Sequence, residues 1–111
     1  MRLQVKGKNV EVTPSIREYA ERKLAKVAKQ LAEQTRVELE LSELKNPSIA
    51  ASHVAEATVF TKGPTLRCSE ASPDMKASID QLAAKLERQV KRYRERRVIE
   101  PRRHAEHNGS D

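Results

Sequence analysis

Residues 85 to 97 hold seven Lys and Arg (Lys85, Arg88, Lys91, Arg92, Arg94, Arg96, Arg97) against two Glu. A run of fixed positive charges at this density does no bond chemistry by itself. It binds polyanions, because each cation that meets a phosphate releases a condensed counterion. At 100° per residue, Lys85, Arg88, Arg92 and Arg96 step by three, four and four and share one stripe of a helix. Arg22, Lys26 and Lys29 step by four and three and form a second stripe at lower density. The alternative assignment for both is a solvated helix face whose late Arg residues complement the helix dipole.

Other chemistry finds no foothold. Cys68, the single cysteine, alternates with Leu66 in a strand-like segment without a neighbouring His, so it reads as a small core residue and not a nucleophile. The three Gly residues are scattered and form no phosphate-cradling loop. His104 and His107 have a spacing that a helical metal pair can use, but no further ligand accompanies them. No set of nucleophile, base and orienting group can be assembled. The expectation is a binding protein with no cofactor, no metal and no small-molecule substrate.

The stripes need helices to carry them. The 111 residues suit one domain, and with 37% hydrophobic residues, no Trp, one Phe and two Tyr, the core must come from Val, Ile, Leu and Ala. Twenty-two Lys and Arg against sixteen Asp and Glu give a formal net charge of +6 and a pI near 9.7, which favours polyanionic partners, nucleic acid first. One cysteine allows no internal disulfide, and no apolar run suits a signal peptide or a membrane span, so a cytoplasmic location is expected.

Leu3 and Val5 alternate with polar neighbours as a first strand, and Gly7 to Asn9 makes a turn. Thr13-Pro14 starts a helix, with Ile16, Ala20, Leu24, Val27 and Leu31 at helical spacing, predicting helix over about residues 14 to 33. Val37, Leu39 and Leu41 alternate with Glu38 and Glu40 in a second strand. Asn46-Pro47-Ser48 breaks the pattern, Ala55, Ala57 and Val59 resume it, and Lys62-Gly63-Pro64 turns into Leu66 and Cys68. Ser72-Pro73-Asp74 opens the last helix, whose Met75, Ile79, Leu82, Leu86, Val90 and Tyr93 step by four, three, four, four and three. From Glu100 the pattern ends, so residues 1 to 97 are expected to be the folded domain and residues 98 to 111 a disordered tail or the stub of a linker.

The predicted class is α+β with order β-α-β-β-β-α, the last three strands forming an antiparallel meander. Two helices pack on one face of a four-stranded sheet, and Glu38, Glu40 and Glu56 lie on the other. Both basic stripes then lie on one side of the domain. Two parallel cationic ridges suit the phosphates and 2′-hydroxyls of structured RNA, while the lack of surface aromatics argues against stacking on single-stranded bases.

With these elements in order, two segments resemble the ribosome hibernation-promoting factors, also called ribosome-associated inhibitors or sigma-54 modulation proteins. Asn9-Val10-Glu11-Val12-Thr13-Pro14-Ser15-Ile16-Arg17 is similar to that family's passage from first strand to first helix. Pro73-Asp74-Met75-Lys76-Ala77-Ser78-Ile79-Asp80, followed by Lys85-Leu86-Glu87-Arg88-Gln89, resembles its last-helix signature, except that Lys76 stands where an aromatic residue is expected. The resemblance covers about residues 1 to 97.

It implies binding to ribosomal RNA in the decoding channel of the small ribosomal subunit, in place of messenger RNA and transfer RNA, and so inhibition of translation by occupancy. It carries the family's basic positions to Arg22, Lys23, Lys26, Lys85, Arg88, Lys91 and Arg92. The two stripes add Lys29 and Arg96. Ribosome dimerisation is implied only for long members that carry a further C-terminal domain. Two other classes compete: a general double-stranded-RNA-binding module, which would take any duplex, and a transcription-modulating partner protein, whose binding would depend little on salt.

Overall fold

The structure is a computed structural model and describes residues 1 to 46 and 48 to 103, with side chains as far as Arg96. Its elements are β1 (Arg2–Lys8), α1 (Pro14–Lys23), α2 (Ala25–Ala28), β2 (Arg36–Glu43), β3 (His53–Phe60), β4 (Thr65–Ser72) and α3 (Met75–Arg103). The strands lie in sequence order, β1 parallel to β2 and the other pairs antiparallel. The α+β class, the element order and the meander are as the periodicities predict.

Strand alternation sets the two faces of the sheet. Register pairs Val37 with Val59, Leu39 with Ala57 and Leu41 with Ala55, and all six side chains are buried toward the helices with Val5 and Cys68. Leu24 enters this core from the junction of α1 and α2, Val27 from α2, and Met75, Ile79, Leu82, Leu86 and Val90 from α3. Ten or more aliphatic side chains buried in one cluster make the helical layer inseparable from the sheet.

The crossover from β1 to β2 is shorter than the helical spacing predicts. Instead of one helix over residues 14 to 33, α1 stops at Lys23, α2 ends at Ala28, and the backbone at Leu24 departs to φ −89°, ψ 6°. Length explains the correction. Parallel pairing sets Arg36 beside Arg2, so the helix must run back the length of β1 and no further. Seven strand residues span about 23 Å, fifteen helical residues span about 22 Å, and twenty would overshoot to about 30 Å. Tight turns therefore follow, with Gln30 N–H donating to Val27 O at 3.0 Å and Leu31 N–H to Ala28 O at 3.2 Å. The N-terminal ammonium of Met1 donates to Ala32 O and Glu33 O, both at 3.1 Å, and pins this turn to the start of β1.

Local signals fix the other ends. Thr13 Oγ1 accepts from Ile16 N–H at 3.2 Å, and Pro14 sits in the first turn. Asp74 Oδ2 accepts from Ala77 N–H at 3.1 Å and caps α3. Asn9 takes φ 64°, a left-handed conformation that Asn tolerates, and Gly7 is required because a Cβ there would collide with Val10 O. The backbone of α3 stays helical through 98 to 103, where the sequence predicted the tail to begin. Once a helix exists, each added residue gains one hydrogen bond, so the end of the apolar stripe does not by itself end the helix. The rest of the expected tail, with His104 and His107, lies outside the described residues.

Two outcomes test this packing. The last fully buried residue of the core is Val90, so cutting the chain after Arg97 should leave unfolding free energy within about 0.5 kcal/mol by denaturant titration; a larger loss would mean that residues beyond 97 dock on the domain. Burial pushes the Cys68 thiol from an ordinary 9.0 up to about 11. At pH 8 about one folded molecule in a thousand then carries the thiolate, and alkylation should run at least about a hundredfold slower than in denaturant. Because the folded thiol keeps its proton to higher pH than the unfolded one, stability should fall as pH rises from about 9 to 11.

Candidate nucleic-acid interface

A helix with one buried stripe has two flanks beside it, and α3 uses each differently. Its buried side is Met75, Ile79, Leu82, Ala83, Leu86 and Val90. The side toward α1 carries Asp80, whose carboxylate accepts the Tyr19 O–H at 2.7 Å and pairs with Lys23 Nζ at 3.3 Å. The Tyr19 ring gathers three cations: Lys76 at 5.2 Å, Arg22 at 5.4 Å and Lys23 at 5.6 Å from its centroid. The hydrogen bond to the Asp80 carboxylate raises the Tyr19 pKa above the ordinary phenol value. Lys76, the departure from the family pattern, is thus used in an interhelical contact with an aromatic ring.

The side of α3 away from α1 overhangs β4. Lys85 Nζ pairs with Glu70 at 3.2 Å and approaches Ser69 O at 3.5 Å. One turn on, Gln89 Nε2 donates to Arg67 O at 3.2 Å. Arg92 and Arg96 continue along this side and, with Lys62 and Leu66 of the β3–β4 hairpin, line a cleft of about 480 Å³.

All nine expected site residues, Arg22, Lys23, Lys26, Lys29, Lys85, Arg88, Lys91, Arg92 and Arg96, are exposed, and all lie on elements of the helical layer. They are not equivalent. Lys23 and Lys85 are held in ion pairs. These pairs are exposed, with side-chain accessibilities of 43%/44% and 47%/29%, so each is worth at most about 1 kcal/mol and yields to a stronger anion. The expected geometry of two parallel ridges needs correction, because Lys85, Arg92 and Arg96 turn toward the β4 edge and the hairpin. The reason is packing: α3 lies over β3 and β4, so this side of the helix reaches the backbone of β4 and the hairpin that leads into it.

Sequence reasoning missed Lys62, which it assigned only to a turn, and Lys76. Hydrophobic period finds helical stripes, but it cannot bring a hairpin turn next to a helix thirty residues later in the chain. The missed residues had one available signal, their charge.

The opposite face of the sheet carries the acids. Register sets Glu40 directly across from Glu56, and like charges in that position repel. Lys6 at 3.7 Å and Arg36 at 2.9 Å from Glu38 offset the charge there, and Arg36 also stacks over the Phe60 ring at 4.1 Å. The three acids of this face thus lie among cations of the same strands, Arg2, Lys6, Lys8, Arg36 and Arg67, while the densest run of positive charge lies along α3. Among the described residues no group of three His, Cys, Asp or Glu is placed to hold a metal ion, and no helix is long and apolar enough to cross a membrane.

This architecture has relatives. A ribosome hibernation promotion factor of Picosynechococcus sp. is 39% identical over 97 residues, covering 86% of this chain and 50% of that protein. One from Lactococcus lactis is 37% identical over 92% of this chain and 54% of its own length. The chain thus spans about half the length of these curated relatives, whereas it matches 96% of a Salmonella typhimurium ribosome hibernation promoting factor at 32% identity over 86% of its own length. Among solved structures, the N-terminal domain of Thermus thermophilus Protein Y superposes with a TM-score of 0.71 at 32% identity, over 84% of this chain and 99% of that domain. A ribosomal subunit interface protein from Coxiella burnetii gives 0.71 at 26%, over 85% and 98%. The family model described as sigma 54 modulation protein / S30EA ribosomal protein matches residues 3–98, nearly the whole described fold, and the chain belongs to that family.

Proposed function

We propose that this domain, about residues 1 to 97, binds ribosomal RNA in the decoding channel of the small ribosomal subunit and inhibits translation by occupying the space of messenger RNA and transfer RNA. The observation that carries the reading is the density of exposed cations on the helical layer, above all along α3, in a member of a family whose relatives are named ribosome hibernation factors. Hydrogen bonds and charge to phosphate and 2′-hydroxyl groups suffice for the binding. No cofactor, nucleotide or bond-breaking step enters the mechanism, and the setting is the cytoplasm, where ribosomes work. A general duplex-RNA module would share the charge pattern but not a preference for ribosomes.

The salt dependence of ribosome binding tests the interface. Replacing Arg88, Lys91 and Arg92 together with Ala should lower the log-log slope by about 0.7 to 0.9 for each lost phosphate contact, or about two to three units in all. Lys85→Ala alone should lower it by less than Arg88→Ala, because Glu70 already neutralises part of the Lys85 charge. An unchanged slope in a folded triple variant would remove these residues from the interface.

Occupancy has its own signature. Protein and initiator transfer RNA with messenger should exclude each other from one small subunit, each raising the other's apparent Kd competitively, and binding should survive excess duplex RNA. Washing the protein away should restore initiation with the ribosomal RNA intact. Inhibition that outlasts removal of the protein, or cleaved RNA, would replace occupancy with an enzymatic mechanism.

A further inference from the structure

The cleft between the β3–β4 hairpin and α3 has a chemistry that the phosphate-binding stripes lack. Its volume, about 480 Å³, lies in the range of about 300 to 1,000 Å³ typical of sites that enclose a small molecule. Lys62, Arg92 and Arg96 supply three cations to its walls, Leu66 and the half-buried Tyr93 supply apolar surface, and no carboxylate lines it. Gln89 also lines it. The Gln89 carboxamide nitrogen is committed to Arg67 O at 3.2 Å, while its oxygen is buried and accepts no hydrogen bond from the protein. A buried acceptor left in this state is costly, and the missing partner is a donor.

One ligand class answers all three features: an anionic group for the cations, a flat apolar body for Leu66 and Tyr93, and an N–H edge for Gln89. We propose that this cleft binds one unpaired nucleotide of an RNA strand. Its flanking phosphates sit on Lys62, Arg92 and Arg96, its base lies against Tyr93 and Leu66, and an amino or imino N–H of the base donates to Gln89 Oε1 as the carboxamide turns toward it. Phosphate contact alone would not need an apolar wall, and an apolar peptide would not need three cations without a carboxylate. The inference rests on the RNA-binding reading and sharpens it: alongside duplex backbone, the domain takes a base that has left its helix. Tyr93, half-buried at the wall of the cleft, is the aromatic surface that this reading requires.

The test uses the full chain and three probes: an unstructured RNA tetranucleotide, a blunt RNA duplex without loops, and adenosine monophosphate. The tetranucleotide should shift the amide resonances of Gly63, Leu66 and Gln89, and Gln89→Leu, with its melting temperature measured alongside, should weaken tetranucleotide binding about tenfold or more while duplex binding stays within about twofold. Lys62→Ala, on an exposed turn where folding is not at stake, should also weaken the tetranucleotide, and by a larger factor than the duplex. Shifts confined to α1 and α2, or variants that bind the tetranucleotide as the parent does, would overturn the proposal. Monophosphate binding as tight as the tetranucleotide would overturn it in favour of a free-nucleotide site. Loss of small-subunit binding by the parent protein would refute the ribosomal reading without touching these measurements, so the two failures are distinguishable.

Discussion

The parallel pairing of β1 with β2 is the constraint on which the rest of this domain depends. A parallel pair cannot be closed by a hairpin, so the chain must cross over one face of the sheet. That crossover is α1 and α2, and its length is limited by the strand it runs beside. The interruption at Leu24 and the tight turns after Ala28 are the local response, and they return the chain to place Arg36 next to Arg2. Ala20 and Val27, fully buried on either side of the interruption, and Leu24 at it show that the crossover stays docked throughout. Because α3 covers the remaining half of the same face, the sheet acquires one dry side and one wet side, and Lys85 of α3 meets a strand acid, Glu70, only at the β4 edge.

How far this was legible in sequence depended on whether the controlling signal was periodic. β2 alternates so cleanly that both its faces were assigned correctly, Val37, Leu39 and Leu41 inward and Glu38 and Glu40 outward. The apolar stripe of α3 was equally clear. The interruption at Leu24 was not, because Ile16 to Leu31 keep helical spacing even though the last of them packs from a turn; the spacing records which side chains reach the core, not whether the backbone between them is regular. The cations could be listed from sequence, but their partners could not. Lys23 and Lys85 meet Asp80 and Glu70 only because α3 lies between α1 and β4, a tertiary fact that no window of sequence contains.

The seam between α1 and α3 shows how such a domain keeps repelling charges together. Arg22, Lys23 and Lys76 converge on one Tyr ring, with Asp80 the anion paired there. The ring face offers negative electrostatic potential without adding an acid that would repel phosphate, while the tyrosine hydroxyl ties the two helices through Asp80. Cations are thereby oriented at the surface of the helical layer with little loss of its net positive charge.

The overhang of α3 beyond β4 has a consequence for the protein as a solute. β4 is the last strand of its sheet, and an outer strand normally offers a row of unmet backbone groups on which another chain can add, the first step toward sheet-to-sheet aggregation. Here two of those acceptors, Ser69 O and Arg67 O, are approached by Lys85 and Gln89 from above, and the helix that delivers them is itself densely charged. An incoming strand would have to displace both side chains and approach a cationic rod of its own sign. The same flank that carries Arg92 and Arg96 therefore keeps copies of this basic protein from growing onto one another at the β4 edge.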